Sequence, residues 1–185
     1  DPSIDELSDM VTDEDVDLSF NVSGYDVDVV TNGQSLSFSL ACDDESLVLT
    51  GCESTGTYEG ICSLDVQGNQ NGSASCDICI HDSYGRALDC KSFGFEVLPV
   101  NDPVTGTDIA DYSVDEDAET SSVADLDNIF DDIDLTNGAA DALQTLSYSV
   151  VGNTNSDLAT ASIDSEGNLS VSYTGNDNGQ STITV

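Results

Sequence analysis

Short runs of alternating polar and apolar residues, separated by Gly, Asn and Asp, recur along the whole chain, and patterns with the period of a helix are nearly absent. Such runs predict β-strands, because successive side chains of a strand point to opposite faces of a sheet. Leu, Ile, Val and Phe make up about a quarter of the residues, which is above the roughly one fifth below which disorder is expected. We therefore predict an all-β protein with a buried core.

The predicted strands fall into two groups of similar extent. They span residues 16–22, 36–42, 47–52, 61–66, 73–81 and 88–98 in the first half, and 146–151, 159–163, 169–173 and 181–185 in the second. Six or seven strands in about a hundred residues predict a β-sandwich, since two half-apolar sheets must cover each other.

A repeat of domain length supports two tandem sandwiches. The triplet that begins at Asp13 recurs at Asp115, and the Asp-Pro pair that begins at Asp1 recurs at Asp102. Repetition at this spacing is typical of tandem arrays. We expect one domain over residues 1–101 and a second over residues 102–185, the second lacking a last strand that the parent chain or another molecule supplies.

The charge of the chain excludes one class of partner. There are 37 Asp and Glu residues against 2 Lys and Arg, a formal net charge of −35, which rules out nucleic acid as a partner. Asp outnumbers Glu by 28 to 9, and Asp is the residue of turns and of metal-binding loops. No stretch is apolar enough to span a membrane, so membrane insertion is not expected.

All six cysteines lie in the first half of the chain, which predicts disulfides in the first domain. The single CxxC motif, Cys76 to Cys79, has no second unit at the spacing of a zinc site. It also lies in a predicted strand rather than at the helix start that a redox motif needs. We therefore expect an oxidising compartment and a secreted or cell-surface protein.

The residues give no support for catalysis. A serine or cysteine triad would need the only histidine, His81, and the sequence contains no GxSxG motif. No carboxylate pair stands out as a glycosidase pair. We expect no enzymatic activity. Three Asn-x-Ser sequons, at Asn21, Asn71 and Asn168, permit glycosylation in a host that performs it.

Several short motifs resemble the bacterial cadherin-like and Ig-like tandem repeats of very large secreted adhesins and surface proteins. The motifs are Thr12-Asp-Glu-Asp15, Leu36-Ser-Phe-Ser, His81-Asp-Ser-Tyr-Gly85, Phe95-Glu-Val-Leu-Pro-Val-Asn-Asp-Pro103 and, in the second half, Val114-Asp-Glu-Asp117 and Leu146-Ser-Tyr-Ser-Val. The resemblance implies two cadherin-like or Ig-like sandwiches. Such repeats commonly lack cysteine, so this chain departs from the pattern there.

The resemblance also implies Ca²⁺ at the domain junctions. The residues that match the ligand positions of such repeats are Asp13, Glu14, Asp15, Asp26, Asp28, Asp82, Asn101 and Asp102, followed by Asp115, Glu116, Asp117, Asp132 and Asp134. Calcium takes six to eight oxygen ligands, and carboxylates gathered from several loops supply them. The alternatives are a solvated acidic surface and the acid coat of a halophile.

The disulfide pairing follows from the expected strand neighbours. A turn at residues 82–87 pairs His81 with Leu88, which places Cys79 opposite Cys90. The hairpin formed by the predicted strands 47–52 and 61–66 brings Cys52 close to Cys62. The third and sixth strands of an Ig-like sandwich are neighbours, which implies that Cys42 pairs with Cys76.

These features favour a structural and adhesive role. We expect two modules of a long extracellular protein in which calcium stiffens the junction, with neighbouring repeats as partners. One alternative is a subunit of a self-assembling filament, completed by strand addition between identical chains. Another is an accessory module of a secreted hydrolase.

Overall fold

The computed structural model describes residues 1–83, 88–136 and 144–185. These residues form two compact units, which we call unit 1 (within residues 1–101) and unit 2 (residues 102–136 and 144–185). Strands hold 47% of the described residues and helices 7%, so the predicted all-β class is confirmed. In these three ranges no helix is both long and apolar enough to cross a membrane.

The described residues of unit 1 form two four-stranded sheets. The strands are β1 (Ser3–Ile4), β2 (Met10–Asp13), β3 (Leu18–Tyr25), β4 (Leu36–Cys42), β5 (Val48–Ser54), β6 (Glu59–Val66), β7 (Gly72–Asp82) and β8 (Leu88–Leu98). One sheet has the order β1-β3-β6-β5 and the other β2-β8-β7-β4. Neighbours are antiparallel except β2 and β8, which run parallel. This is an Ig-like arrangement with β2 added beside β8.

The core of unit 1 lies between the two sheets because each strand alternates. In β7, Ala74, Cys76, Ile78 and Ile80 are buried while the residues between them face outward. Eighteen buried apolar residues from both sheets form one cluster. The outward positions are mainly serine and small residues, and most carboxylates lie in the turns. Most acidic residues of unit 1 therefore lie outside the core.

A short helix, α1 (Val27–Asn32), follows β3 and was not predicted. Its β-branched sequence favours a strand, but its two ends determine the outcome. Asp26 accepts a hydrogen bond from the backbone N–H of Asp28 at 2.9 Å and caps the first turn. Gly33 ends the helix with φ of 67°, a conformation that glycine adopts without strain.

Three disulfides join neighbouring strands of unit 1, so the prediction of disulfides is confirmed. They link Cys42 to Cys76, Cys52 to Cys62 and Cys79 to Cys90, the same three pairs that the sequence predicts. Each pair occupies directly opposed positions of an antiparallel ladder. Cys76 and Cys62 are fully buried, whereas Cys90 is exposed. Two bridges thus reach the core and the third lies on the outer face.

Unit 2 repeats part of this plan with shorter ladders. Its described strands are β9 (Thr105–Gly106), β10 (Ser121–Asp125), β11 (Phe130–Asp131), β12 (Gly152–Asn153), β13 (Ala159–Ile163), β14 (Asn168–Tyr173) and β15 (Ile183–Thr184), with a four-residue helix α2 (Ile133–Thr136) after β11. β10, β14 and β13 form one sheet, and β11-β9 and β12-β15 form two-stranded pairs. Among the described residues of unit 2, the buried apolar side chains are Leu126, Ala159, Leu169 and Val171.

The predicted strand over residues 146–151 is wrong. These residues alternate between half-buried and exposed, as a strand would, but they form no ladder; the two-residue strand β12 follows them. In unit 1 the corresponding strand, β4, pairs along all seven of its residues with β7. A strand needs a hydrogen-bonded neighbour along its length as well as an alternating pattern. Among the described residues, the one backbone bond of this segment is that from the N–H of Val151 to the carbonyl of Thr184, at 2.8 Å.

Candidate metal-binding carboxylates

Burial separates a small group of carboxylates from the rest. In the described part of the chain the buried acidic residues are Glu14, Asp26, Asp82, Asp132 and Asp134, with exposed fractions of 1 to 9%. All five belong to the set that the resemblance to cadherin-like repeats assigned to calcium. Burying an ionised carboxylate is costly unless a positive charge or several hydrogen bonds compensate it. Their burial therefore requires an explanation that the exposed acids do not.

Asp26 is the most buried of them, at 1% exposure. Its Oδ1 accepts the backbone N–H of Asp28, and the N-terminal nitrogen of Asp1, whose side chain is fully exposed, lies 3.7 Å from the same oxygen. Its Oδ2 is buried and has no hydrogen-bond partner among the described residues. An exposed ion pair contributes little, so this carboxylate keeps one oxygen that could bind a cation. Asp28, half-buried beside it, accepts from the side-chain amide of Asn32.

The corresponding place in unit 2 holds Asp132 and Asp134 at the start of α2. The backbone N–H of Asp134 donates to Asp132 Oδ1 at 3.1 Å, which repeats the Asp26 to Asp28 bond of unit 1. The backbone N–H of Asp102 donates to Asp134 Oδ2 at 2.9 Å. Two hydrogen bonds thus connect three predicted ligands of unit 2, Asp102, Asp134 and Asp132.

Glu14 occupies a position at the end of β2. Its Oε1 accepts the backbone N–H of Val100 at 2.5 Å, and its own N–H donates to the carbonyl of Leu98. The side chain therefore closes over the segment that follows β8. Its counterpart in unit 2, Glu116, is exposed.

Asp15 and Asp117 have a structural role instead. Both adopt the left-handed conformation, with φ of 61° and 62°, which Asp tolerates better than most residues. Asp15 Oδ1 accepts the backbone N–H of Asn69 at 2.8 Å, and Asp117 Oδ1 accepts that of Asn176 at 2.7 Å. The last acid of each triplet thus fixes a turn against a neighbouring loop.

The remaining predicted ligands are not gathered. Asp13, Asn101 and Asp115 are exposed. Within residues 1–83, 88–136 and 144–185, no three carboxylate, imidazole or thiol groups converge on a point where a metal ion would fit. Calcium binding by these residues therefore stays a prediction.

The other predicted positions differ in accessibility. Asn21 is exposed on β3, whereas Asn71 is half-buried and Asn168 donates its side-chain amide to Asp164 Oδ2 at 3.0 Å. His81 Nε2 lies 3.0 Å from Ser39 Oγ on the outer face of unit 1. No carboxylate of the described residues hydrogen bonds to this histidine, and the expectation that the chain has no enzymatic activity stays a prediction.

Several carboxylates that the sequence did not single out stabilise loops. Hydrogen bonds from the hydroxyl and the backbone N–H of Ser46 lower the pKa of Asp44. The backbone N–H of Asn168, followed by its side chain, lowers the pKa of Asp164. An Asp two residues before a Ser, Glu or Gly in a loop is the sequence signal for such turns.

The environment of Tyr148 changes the pKa of its hydroxyl. Burial and then the hydrogen bond that its hydroxyl donates to Asp127 Oδ1, at 2.7 Å, raise the pKa of Tyr148 to about 12. Its ring also contacts Phe130, with ring centroids 5.9 Å apart. Tyr148 therefore joins the segment before β12 to the 3₁₀ turn at Leu126–Asn128.

Comparison with known proteins gives structural neighbours only. No protein family matches the chain, and no curated protein matches it in sequence. Titin domains Z1Z2, solved in complex with telethonin, align over 58% of this chain and 52% of that chain, at 13% identity and a TM-score of 0.35. An endo-fucoidan hydrolase of glycoside hydrolase family 107 aligns over 94% and 24%, at 11% identity and a TM-score of 0.40. Domains 5-6 of the S-layer protein SbsC align over 99% and 91%, at 15% identity and a TM-score of 0.35.

These likenesses concern the fold alone. The chain spans about half the length of the titin structure and about a quarter of that of the hydrolase. Membership of the cadherin-like repeats stays a prediction.

Proposed function

We propose that the chain is a non-catalytic, extracellular structural module whose buried carboxylates bind Ca²⁺. One observation carries the calcium part. Glu14, Asp26, Asp132 and Asp134 are buried, and no lysine or arginine of the described residues forms an ion pair with any of them. A divalent cation supplies the missing charge and accepts the oxygens that the backbone N–H groups leave open.

The compartment part rests on the disulfides. Three bridges within one unit of about a hundred residues are typical of proteins that fold in an oxidising environment. Calcium sites of extracellular modules bind with dissociation constants on the order of 10⁻⁴ to 10⁻³ M. At about 10 mM free calcium, one such site stabilises the folded state by roughly 1.4 to 2.7 kcal/mol.

Thermal unfolding of the Asp26→Asn variant tests the proposal. In EDTA the variant should melt at or above the temperature of the unsubstituted protein, because it removes a buried charge whose one ion-pair partner in the described residues is the N-terminal ammonium, 3.7 Å away. In 10 mM calcium the order should reverse, because the variant loses a ligand. If Asp26 acts only as a helix cap, the variant should melt close to the unsubstituted protein in both buffers, because Asn caps a helix about as well as Asp.

Two controls separate site binding from general screening of the charge. The Asp65→Asn variant removes an exposed carboxylate on β6 and should respond to calcium as the unsubstituted protein does. Sodium chloride at equal ionic strength should reproduce little of the calcium effect. A melting temperature that is equally raised by sodium chloride, or is unchanged by EDTA, would show that the acids form a solvated coat instead.

The mechanical part of the proposal concerns the junction of the two units. Carboxylates that repel one another without cations would be drawn together by bound calcium, so the array would become stiffer, as a stalk in a surface adhesin requires. Small-angle X-ray scattering should then give a narrower distribution of overall dimensions in calcium than in EDTA. Identical distributions in calcium and in EDTA would show that calcium does not stiffen the junction. Calcium binding itself would still be tested by the melting experiment.

A further inference from the structure

The disulfide between Cys79 and Cys90 differs from the other two in its place in unit 1. Its cysteines are directly opposed on the neighbouring strands β7 and β8, and Cys90 is exposed while Cys79 is half-buried. Neither belongs to the core cluster. The other bridges each contain one cysteine of that cluster, Cys76 or Cys62, with an exposed fraction of 0%. One of the three bridges therefore lies outside the core.

Short side chains adjoin this bridge on the outward face of its sheet. Ser39 lies directly opposite Cys79 on β4, and Ser92 follows Cys90 by two residues on β8. Both are on the same face as the bridge, because alternate residues of a strand share a face. Cys90 stays exposed beside them, so a small solute can approach it from solvent.

Exposure determines which sulfur an outside thiol can attack. In thiol–disulfide exchange a thiolate attacks one sulfur and the other departs as a thiolate. Attack on the exposed Cys90 releases Cys79 on the outward face, where water solvates the new charge. At either of the other bridges, attack from solvent releases Cys76 or Cys62 inside the apolar core, where an ionised group is costly. Exchange is therefore favoured at Cys90.

The strands that carry the bridge are held together without it. β7 and β8 pair over ten positions, from Gly72 with Val97 to His81 with Leu88. β7 also pairs with β4 over seven positions, and β8 with β2 over four. Opening one cross-link within these ladders leaves the backbone hydrogen bonds in place. Exchange therefore does not require unit 1 to unfold.

The charge of the outward face selects among thiols. The exposed carboxylates that this face carries include Asp13, Asp77 and Glu96. Lys91, the neighbour of Cys90, lies on the opposite face of β8, where its Nζ is 3.2 Å from Asp89 Oδ1. The chain as a whole has a formal net charge of −35. A negative field of this kind repels an anionic thiol and attracts a cationic one.

We propose that Cys90 is a site of covalent modification by small neutral or cationic thiols through disulfide exchange. A bond forms between the sulfur of the incoming thiolate and Cys90 Sγ while the bond between Cys79 and Cys90 breaks. The electron pair goes to Cys79 Sγ, which takes a proton from water. The product carries a mixed disulfide at Cys90 and a free thiol at Cys79, and no further oxidant or reductant is needed. This modification is independent of calcium binding and of the proposed structural role.

Reaction of the folded 185-residue chain with three thiols of similar size tests the proposal. Cysteamine is cationic, 2-mercaptoethanol is neutral and 3-mercaptopropionate is anionic. After brief exposure to each thiol, acid quenching and alkylation with N-ethylmaleimide, peptide mapping should find the thiol on Cys90 and the maleimide on Cys79. Far-UV circular dichroism should stay unchanged, because the strand ladders persist.

Exchange rates measure the charge selectivity. Each rate is divided by the rate of the same thiol with 2-hydroxyethyl disulfide, an uncharged reference that corrects for thiolate fraction and nucleophilicity. At low salt cysteamine should then react roughly tenfold faster than 3-mercaptopropionate. In about 1 M sodium chloride the two relative rates should approach each other, because charges are screened.

Two exposed aspartates provide a matched pair of variants. Asp77→Asn removes the carboxylate two residues from Cys79, and Asp65→Asn removes one on the outer face of the other sheet. Only Asp77→Asn should raise the relative rate of 3-mercaptopropionate, by roughly two- to threefold. The Cys79→Ala/Cys90→Ala variant should form no adduct, because exchange at its remaining bridges releases a thiolate into the core.

Each part of the proposal has a result that contradicts it. Absence of an adduct while the reference disulfide reacts, or a first adduct on a cysteine of either other bridge, removes the site. The thiol on Cys79 with the maleimide on Cys90 reverses the order of attack. Equal relative rates of the cationic and anionic thiols at low salt remove the selectivity. Loss of the circular dichroism spectrum before modification shows that exchange follows unfolding.

Discussion

Removing the disulfides one at a time should reveal a stability difference set by loop length. The bridge between Cys42 and Cys76 spans 34 residues and that between Cys52 and Cys62 spans 10. Each contains one fully buried sulfur and one half-buried partner. Replacing both cysteines of a pair by alanine therefore removes a similar amount of core packing in the two cases. The remaining difference is the chain entropy released in the unfolded state.

The magnitude follows from the closed loops. The chain-entropy relation gives about 3.8 kcal/mol at 25 °C for the longer loop and about 2.7 kcal/mol for the shorter one. The Cys42→Ala/Cys76→Ala variant should therefore be less stable than the Cys52→Ala/Cys62→Ala variant by about 1.1 kcal/mol. For a unit of this size the difference corresponds to a shift of roughly 0.7 M in the urea midpoint.

Urea unfolding followed by NMR signals of core residues measures this difference. Phe38 and Phe93 are buried in unit 1, so their signals report that unit without interference from unit 2. The slopes of the transitions should agree, because the two variants expose similar surface. If the short-loop variant proves equally unstable or less stable, loop entropy is not the main contribution of these bridges.

Three further predictions concern reduction, alkaline titration and local stability. Under mild reductant the bridge between Cys79 and Cys90 should open first, because Cys90 is exposed while each other bridge has a buried sulfur; peptide mapping after alkylation would contradict this by finding another pair labelled first. Since the pKa of Tyr148 is raised to about 12, its contribution to stability is complete below its unfolded value of about 10 and is lost as the pH rises through 12. An ultraviolet titration should thus show one late tyrosine that is absent in Tyr148→Phe. Residues 146–185 should exchange amide hydrogens faster than residues 36–83, because unit 2 buries four apolar side chains and unit 1 eighteen in the described residues; equal protection in a dilute monomer would refute it.

Strand pairing in unit 1 was predictable because turns and alternation acted together. A turn after His81 fixes the register of β7 and β8, and this register alone places Cys79 opposite Cys90. α1 was not predictable from propensity, since Val27, Val29 and Val30 favour a strand and capping residues at both ends decide otherwise. The local sequence thus predicts where a strand could form. Helix-capping residues and a hydrogen-bonded partner strand determine whether the strand forms.

The sequence identified candidate ligand residues, but it did not show what each of them does in the fold. The resemblance to cadherin-like repeats selected thirteen positions, and these differ in burial in a way that no sequence pattern distinguishes. Asp15 is used by a turn, Asp26 keeps an unpaired buried oxygen, and Asp115 is exposed. The role of each acid depends on residues that are distant in the sequence. The partner of Asp15, for example, is Asn69, which is 54 positions away in the chain.

The excess of Asp over Glu has a structural origin that is separate from calcium. The shorter Asp side chain reaches the backbone N–H two residues ahead, which Glu cannot do in the same geometry. Asp44 and Asp164 form such bonds at 2.9 Å, and Asp26 and Asp132 form the same bond at the start of a helix. A count of 28 Asp to 9 Glu is therefore expected of any loop-rich sandwich built with acidic turns. What distinguishes Asp26 and Asp132 from Asp44 and Asp164 is that the first two are buried, whereas Asp44 is half-buried and Asp164 is exposed. Burial of charge, rather than abundance of charge, is the property that a cation would relieve.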